Sequence, residues 1–241
     1  MTFKHGKNAA VWYGAINMSP YLRGADLSIA VETGDTTTFG GDGWRTYIPG
    51  LIGGGYEFEG LYDPAEVDIQ AALASIVPLT VCPAGSAIGD LVRLVPSITT
   101  EYGQSSVIDD VIGFSWGVTA EDAIASGAVI HALTEDTNTT TGTAINQTAS
   151  TSTGWSAHLH VTAIDAGGRS WVITIEDSAN GSSGWAAIAT FAAKTAVGSE
   201  RLLSASATTT VRQYVRVVAT ATGGSAGQGI TYALGFARTN Q

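Results

Sequence analysis

Hydrophobic and polar residues alternate most clearly near the start of the chain. In Asp26–Glu32, the side chains of Leu27, Ile29 and Val31 fall on one side of an extended chain, and polar or small residues fall on the other. The same period of two recurs in Tyr56–Leu61. Both segments are therefore predicted to be β-strands with one apolar face.

The segment Thr33–Gly55 between these strands is rich in Gly, Thr and Asp and is predicted to be a long irregular loop. It also carries more apolar side chains than a solvated linker needs. These are Phe39, Trp44, Tyr47, Ile48 and Leu51. Such a loop is expected to cover another surface, and that surface can belong to a second subunit.

One helix is predicted at about 64–76. Asp63 can cap it, Pro64 fits its first position, and the apolar residues that follow recur at helical spacing. Four strands are predicted after it, at Val77–Val81, Leu91–Ile98, Val107–Thr119 and Gly127–Leu133. The third contains Asp109 and Asp110, so alternation would direct one of these carboxylates away from solvent or into a polar cavity.

The stretch 134–153 is rich in Ser, Thr, Asn and Gly and is predicted to be a linker, with a domain boundary near residue 145. Turn residues then separate six further runs of strand-like composition. These runs are Trp155–Ile164, Ser170–Glu176, Trp185–Ala192, Arg201–Ala207, Val211–Thr222 and Gly229–Phe236. Short strands at regular spacing predict a β-sandwich of jelly-roll type at 154–241. The chain is thus predicted to be mainly β, with an N-terminal domain at 1–145.

Charge is distributed unevenly along the chain. Residues 1–140 contain 17 acids and 5 bases, whereas residues 141–241 contain 4 acids and 6 bases. The acidic half argues against nucleic-acid binding there, because phosphate contacts need Lys and Arg, and it is compatible with a surface that repels phosphate. On charge alone, the simpler interpretation is that the acids serve solubility. No stretch has the length and apolarity of a membrane span or a signal-peptide core, so synthesis in the cytosol is expected.

The sequence contains few residues in patterns typical of catalytic or metal-binding sites. His158 and His160 share one face of a predicted strand, but a structural metal site usually needs four ligands, so no metal is predicted. Glu57 and Glu59 also share a face, and paired carboxylates can hydrolyse glycosides. Nothing nearby marks one of them as the acid, so a charged sheet surface is the simpler interpretation. Phosphate-loop, nucleophile-elbow and Cys–His motifs are absent from the sequence, and no catalytic residue, cofactor or enzymatic activity is predicted.

Three tryptophans fall in the C-terminal part, at Trp155, Trp171 and Trp185. If exposed, Trp155 and Trp185 could stack on sugar rings, because the flat apolar face of an indole suits that contact. The alternative is that each tryptophan anchors the core of the sandwich, since large aromatic residues are mostly buried.

Five short motifs follow one another in residues 4–63. They are His5-Gly6-Lys7-Asn8-Ala9, Ser19-Pro20-Tyr21-Leu22, Asp35-Thr36-Thr37-Thr38-Phe39-Gly40, Tyr47-Ile48-Pro49-Gly50-Leu51 and Glu59-Gly60-Leu61-Tyr62-Asp63. In this order they resemble the tail tube (major tail) proteins of long-tailed bacteriophages, over about a quarter of the chain. Further motifs resemble the sandwich domains that decorate some tail tubes. These are Ile175-Glu176-Asp177-Ser178, Gly184-Trp185 with Ala189-Thr190-Phe191, and Val211-Arg212-Gln213-Tyr214-Val215-Arg216-Val217.

The resemblance implies a β-sandwich with one flanking helix and a hairpin that joins those of five neighbours in a continuous barrel. Six copies would form a ring, and rings would stack into a tube through which DNA passes without sticking. The C-terminal sandwich would project outside, and other tail proteins would bind the tube ends. The protein would be made in the cytoplasm of a bacterial host, would lie in the virion tail and would not insert into a membrane.

The resemblance also implies roles for single residues. The segment Thr33–Gly55 would reach the adjacent ring. Its expected contacts are Asp35, Thr36, Thr37, Thr38, Phe39, Trp44, Tyr47, Pro49 and Leu51. Tube lumens in the family are acidic, so Glu57, Glu59, Asp109 and Asp110 would face the lumen. Two alternatives stay open: a two-domain lectin-like protein that binds carbohydrate through exposed tryptophans, and a glycoside hydrolase that uses two acids of the N-terminal half.

Overall fold

The structure is a computed structural model that describes residues 6–38, 44–63, 69, 72–106 and 108–240. The described part is almost entirely antiparallel β-structure, which confirms the predicted mainly β fold. Besides the short 3₁₀ turn Gly6–Asn8, it contains sixteen strands. They are β1 (Ala10–Tyr13), β2 (Ile16–Asn17), β3 (Leu22–Asp35), β4 (Tyr47–Leu61), β5 (Ile76–Cys82), β6 (Leu91–Ser105), β7 (Gly113–Ala120), β8 (Ala125–Asp136), β9 (Thr140–Thr141), β10 (Ile145–Asn146), β11 (Ser156–Ile164), β12 (Ser170–Ser178), β13 (Ala186–Thr190), β14 (Gly198–Leu203), β15 (Tyr214–Thr222) and β16 (Ile230–Ala237).

The strands group into two compact units. The first, called the sandwich unit, comprises Met1–Pro20, Val77–Pro96 and Ile124–Gln241, and the second, the hairpin unit, comprises Tyr21–Ile76 and Ser97–Ala123. This division differs from the single boundary predicted near residue 145. The physical reason is strand pairing over a long sequence distance, because β8 lies beside β16 in one sheet.

The sandwich unit is built from two sheets that share an apolar core, and a second buried cluster, which includes Trp12 and Leu94, is formed by residues of the larger sheet alone. Its larger sheet has the order β14-β11-β16-β8-β6-β5-β1-β2, and the smaller has the order β10-β15-β12-β13, with β9 on β15. In β12, Trp171, Ile173 and Ile175 alternate with less buried residues and enter the core. Ala157 and Leu159 of β11 enter the same core from the larger sheet. Alternate side chains of two facing sheets thus form a β-sandwich.

The six strands predicted after residue 154 all occur, as β11 to β16. The stretch 134–153, by contrast, is part of the sandwich unit rather than a free linker. It contains β9 and β10, which both pair with β15. The Arg238 guanidinium holds it further, donating to Gln147 Oε1 at 2.5 Å and to the carbonyl oxygen of Ala149 at 2.7 Å.

The hairpin unit is an antiparallel sheet with the order β3-β4-β7-β6. Pairing of β3 with β4 extends from Leu22 and Gly60 to Asp35 and Tyr47. The prediction of an irregular loop at Thr33–Gly55 is therefore wrong for most of its length, and only residues 36–46 connect the two strands. Cross-strand hydrogen bonds stabilise this segment although its own β-propensity is low.

Two further predictions need correction. The predicted strand Val107–Thr119 begins only at Gly113, and Asp109 and Asp110 lie in the turn before it. Of the predicted helix 64–76, residues 64–68 and 70–71 lie outside the described residues, and Ile76 belongs to β5. Within the described ranges, no helix has the length and apolar character needed to cross a membrane.

Candidate functional site

One face of the hairpin-unit sheet is apolar and buried. Tyr56 and Phe58 of β4 point into it, together with Trp116 of β7. The Phe58 ring stacks on Trp116 with centroids 4.4 Å apart and on Tyr56 at 5.5 Å. The Trp116 indole N–H donates to Thr99 Oγ1 at 3.2 Å, which satisfies its one polar atom. These contacts fix the register of the sheet and therefore the positions of the residues on its other face.

The opposite face carries a row of carboxylates. Asp26 of β3 pairs with Glu57 of β4, Glu57 with Gly117 of β7, and Gly117 with Glu101 of β6. Residues directly opposite in neighbouring strands share a face, so all three acids lie on one side. A Cβ placed on Gly117 would lie 3.0 Å from Glu57 Oε2 and 3.4 Å from Glu101 Cβ. The absent side chain thus leaves room for the acids on either side.

The next row of this face contains Glu59, which pairs with Ser115. Glu57 and Glu59 are both exposed, as the alternation in their strand predicts. The sequence analysis missed Asp26 and Glu101, because their place beside Glu57 depends on strand order.

The hairpin unit as a whole contains 14 acids and 2 bases, Arg23 and Arg45. Its formal charge of −12 is therefore larger than that of the whole chain, −10.

Beyond this four-stranded region β3 and β4 extend as a hairpin, and its apolar side chains, with that of Leu27 at its base, are exposed. They are Leu27, Ile29, Val31, Tyr47, Ile48, Leu51 and Ile52. Leu51 is 77% exposed and Ile52 73% exposed. Alternation places Leu51 and Ile52 on opposite faces, so both faces of the hairpin expose apolar side chains, as is typical of an interaction site. The expectation that this segment covers another surface stays a prediction.

The end of the hairpin is ordered by short-range hydrogen bonds. The amide N–H of Thr37 donates to Asp35 Oδ1 at 2.8 Å, and hydrogen bonds from Thr37 lower the pKa of Asp35. The Thr36 N–H donates to the carbonyl oxygen of Thr46 at 2.8 Å, and the Thr46 N–H donates to Thr37 Oγ1 at 3.0 Å. Thr38 is exposed beside them. These bonds close the base of the connection between the two strands.

The remaining predicted contact residues have different surroundings. Pro49 pairs with Thr33 at a bulge in the hairpin. Trp44 is 82% exposed, whereas Phe39 lies outside the described residues. Asp109 and Asp110 are exposed, and Asp110 Oδ1 accepts a hydrogen bond from its neighbouring amide at 2.7 Å. Both lie in the turn before β7.

The two tryptophans predicted as sugar-stacking candidates have other contacts. Trp155 is only 5% exposed and packs in the sandwich core near Phe236. Trp185 is half-buried, and the Arg216 guanidinium carbon lies 4.1 Å from the centroid of its ring. Arg216 is itself paired with Glu176 at 2.7 Å. Trp155 therefore presents no free face to a sugar, and one face of Trp185 is occupied by Arg216.

His158 and His160 share a buried face of β11. His160 Nδ1 is 2.9 Å from the carbonyl oxygen of Gly14, and its Nε2 is 2.8 Å from Thr80 Oγ1. His158 Nδ1 is 3.2 Å from the carbonyl oxygen of Leu79. Burial lowers the pKa of His158 well below its ordinary value and that of His160 to about 4, so both rings are neutral at pH 7. In the part of the chain that the structure describes, no three His, Cys, Asp or Glu side chains converge on a possible metal site.

Known proteins show only weak sequence and structural similarity to this chain. No family model and no curated protein match the chain. Among solved structures, a chain from the virion of a native gene transfer agent particle is 15% identical with a TM-score of 0.41, over 52% of this chain and 100% of that chain. A chain from the tail of an empty gene transfer agent particle with C6 symmetry is 16% identical with a TM-score of 0.42, over the same shares.

A third solved structure covers more of the chain. It is the SPP1 Dit protein, from the hub adsorption apparatus of phages that infect Gram-positive hosts. It is 11% identical, with a TM-score of 0.37, over 95% of this chain and 98% of that chain.

Proposed function

We propose that the chain is a structural subunit of a bacteriophage tail tube, which forms hexameric rings that stack around a passage for DNA. The observation that carries this proposal is the hairpin-unit sheet, with carboxylates on one face and an exposed apolar hairpin extending from it. A sheet with one buried face and one hydrated acidic face suits the wall of a water-filled channel. The motifs in residues 4–63 that resemble tail tube proteins support the same function.

The strand order of the hairpin unit supports assembly through its edges. Among the described strands, β3 pairs only with β4 and is therefore an edge strand of 14 residues. The segment Ser97–Ser105 of β6 is the outermost strand on the other side, with a single bridge from Thr99 to Leu73. A long exposed edge strand invites pairing with another chain. Pairing of β3 in one copy with the β6 side of the next would close six copies into a barrel of roughly 24 strands. A barrel of that size leaves an aqueous channel, as porins with fewer strands already do.

In this barrel the carboxylate row and the neighbouring Glu59 would face the channel. Asp26, Glu57, Glu59 and Glu101 would recur in each copy and would repel the phosphates of passing DNA. The hairpin unit contributes few bases that could bind phosphate, which fits passage without retention. Asp109 and Asp110 would lie at one end of the channel wall, because their turn is at the end of the sheet.

The other parts of the proposal follow from the same assembly. The sandwich unit would be an external domain of jelly-roll type in the virion tail, and other tail proteins would bind the ends of the tube. The lectin-like alternative is not favoured, because Trp155 is buried and Trp185 is covered by Arg216. The hydrolase alternative rests on Glu57 and Glu59, which lie on an open sheet face among other acids.

Electron microscopy of the purified chain over a concentration series tests the proposal. We expect rings and hollow tubes. Ile29→Lys should block assembly, because it places a charge on the exposed apolar face, whereas Ala30→Lys is the matched control on the opposite face. A chain that stays monomeric at every concentration and binds sugars would overturn the proposal in favour of the lectin-like reading.

A further inference from the structure

The connection between β12 and β13, residues 179–185, contains the one Asn-Gly dipeptide of the sequence, Asn180-Gly181. Such a dipeptide is chemically labile in an open chain, because glycine has no side chain to keep its backbone nitrogen away from the asparagine amide. The Gly181 nitrogen loses its proton and bonds to Cγ of Asn180, and the Cγ–Nδ2 bond breaks as Nδ2 takes up a proton and leaves as ammonia. Water then opens the cyclic imide at either carbonyl, which leaves an aspartate or an isoaspartate.

The folded loop needs both residues of this labile pair. Gly181 has a φ of +74°, which favours glycine, and a Cβ at this position would lie 2.7 Å from Cδ1 of Tyr214. Asn180 Oδ1 accepts hydrogen bonds from the backbone N–H of Ser182 at 3.0 Å and of Ser183 at 2.9 Å. Because a substitution at either position would disturb the loop, stability against deamidation has to come from the surrounding groups.

The hydroxyl of Ser178 holds the nitrogen that would attack. Ser178 is fully buried at the end of β12. Its Oγ accepts hydrogen bonds from the N–H of Gly181 at 3.2 Å and of Asn180 at 3.3 Å, and it donates to the carbonyl oxygen of Ser183 at 2.6 Å. The one hydroxyl proton is thus used, and Oγ acts as an acceptor toward Gly181. The proton that Gly181 must lose is therefore held in a hydrogen bond.

The side-chain amide that would be attacked is fixed as well. Asn180 Nδ2 donates to Ser183 Oγ at 2.9 Å, in addition to the two backbone bonds that Oδ1 accepts. The amide must leave these partners before Cγ can approach the Gly181 nitrogen. The far end of the loop is anchored too, because Arg212 Nη1 donates to the carbonyl oxygen of Gly184 at 2.7 Å. Reaction at Asn180 therefore requires the loop to open.

We propose that Asn180 is a deamidation site that the Ser178 hydroxyl gates. The closed loop keeps the amide intact, and modification proceeds only through the small population in which the loop is open. An isoaspartate at this position adds a backbone atom to the connection between β12 and β13, so the closed loop cannot form again with the same hydrogen bonds. This protection is independent of the proposed function, because it depends on contacts within the sandwich unit alone.

Mass spectrometry of the full chain, aged in mildly alkaline buffer and then digested with trypsin, measures the rate. Residues 170–194 form one tryptic peptide, in which Asn180 is the only amide side chain, so the mass gain of an acid that replaces an amide is assigned directly. We expect the folded wild type to react at least about tenfold more slowly than the chain unfolded in guanidinium. Ser178→Ala removes three hydrogen bonds of the closed loop and should raise the folded rate at least about tenfold, without changing the unfolded rate.

The matched control is Ser204→Ala. Ser204 is also buried, and its Oγ likewise accepts from a backbone N–H, that of Trp155 at 3.0 Å, and donates to a carbonyl oxygen, that of Ser206 at 2.9 Å. This variant loses similar hydrogen bonds outside the loop and should deamidate at the wild-type rate. Ser183→Ala is a second loop variant at an exposed position. It removes only the acceptor of Asn180 Nδ2 and should raise the rate by a smaller factor.

Thermal melts of each variant show whether it is folded during the ageing. Equal folded rates for wild type and both loop variants would overturn the gating. The same acceleration in Ser204→Ala as in Ser178→Ala would assign the effect to a general loss of stability, which also overturns it. If Ser178→Ala does not fold, Ser183→Ala decides alone, and a wild-type rate in that variant contradicts the proposal. A folded wild type that reacts as fast as the unfolded chain would show that the loop gives no protection.

Discussion

Acid should destabilise the sandwich unit through its buried histidines, and His160 allows the effect to be worked out. Its ring is fully buried, with Nδ1 near the Gly14 carbonyl oxygen and Nε2 near Thr80 Oγ1. A carbonyl oxygen can only accept a hydrogen bond, so Nδ1 carries the proton and Nε2 accepts from the threonine hydroxyl. A second proton would remove that acceptor and place a charge in the core, which is why burial lowers the pKa of His160 to about 4.

The sign and size of the effect follow from proton linkage. The unfolded chain has the ordinary histidine pKa of about 6.5, so between pH 6.5 and pH 4 it binds more protons than the folded chain. The stability due to neutral His160 is therefore complete above pH 6.5 and is lost as the pH falls toward 4. Between pH 8 and pH 4.5 this loss amounts to about 2.5 kcal/mol. The lowered pKa of His158 acts in the same direction.

Urea unfolding from pH 8 to pH 4.5 measures this loss, with His160→Gln as the comparison. Glutamine retains a donor and an acceptor but does not titrate, and the carboxylates of the protein contribute equally to both curves. The variant should be less stable at pH 8, and the difference should narrow by about 2.5 kcal/mol at pH 4.5. Two curves that stay parallel over this range would refute the assignment of a neutral, buried His160.

Three shorter predictions concern packing and charge. Phe58→Ala should lower the free energy of unfolding by about 3–5 kcal/mol, because it removes a buried ring that stacks on two aromatic neighbours, and a thermal melt measures this. Gly127→Ala should cost about 1–3 kcal/mol in the same assay, because its methyl group would press on a backbone carbonyl of β16, while Gly198→Ala, with open space around it, should be neutral. Replacing Glu57 and Glu59 together by Lys should make assembled protein retain DNA in a filter assay, and the retention should fall steeply with added salt. DNA that passes unretained at low salt would contradict the placement of these acids on the channel wall.

The strands of the C-terminal part could be predicted because their signals are local. Trp171, Ile173 and Ile175 alternate with less buried neighbours, and glycine turns such as Asn180-Gly181 separate the strands. The positive φ of Gly181 fits such a turn. Each of these strands can therefore be predicted from about ten consecutive residues.

The hairpin beyond Glu32 could not be predicted in this way. Its sequence contains Gly50, Gly53, Gly54 and Gly55, which lower β-propensity and resemble loop composition. The strand forms because β3 supplies a pairing partner along its whole length. The carboxylate row has the same origin, since Glu101 reaches its place opposite Gly117 through a register shift after Thr99 that no local pattern shows.

The distribution of charge between the units supports a role for the acidic face that goes beyond solubility. In the sandwich unit nine bases accompany seven acids, and three of those acids, Glu176, Asp177 and Glu200, pair with Arg216, Arg212 and Lys194. In the hairpin unit two bases cannot balance fourteen acids. Self-repulsion among these acids opposes folding, and solubility would be served as well by acids spread over both units. Four of them, Asp26, Glu57, Glu59 and Glu101, lie on one sheet face, and in the proposed tube their negative field would keep a polyanion from binding the surface it passes.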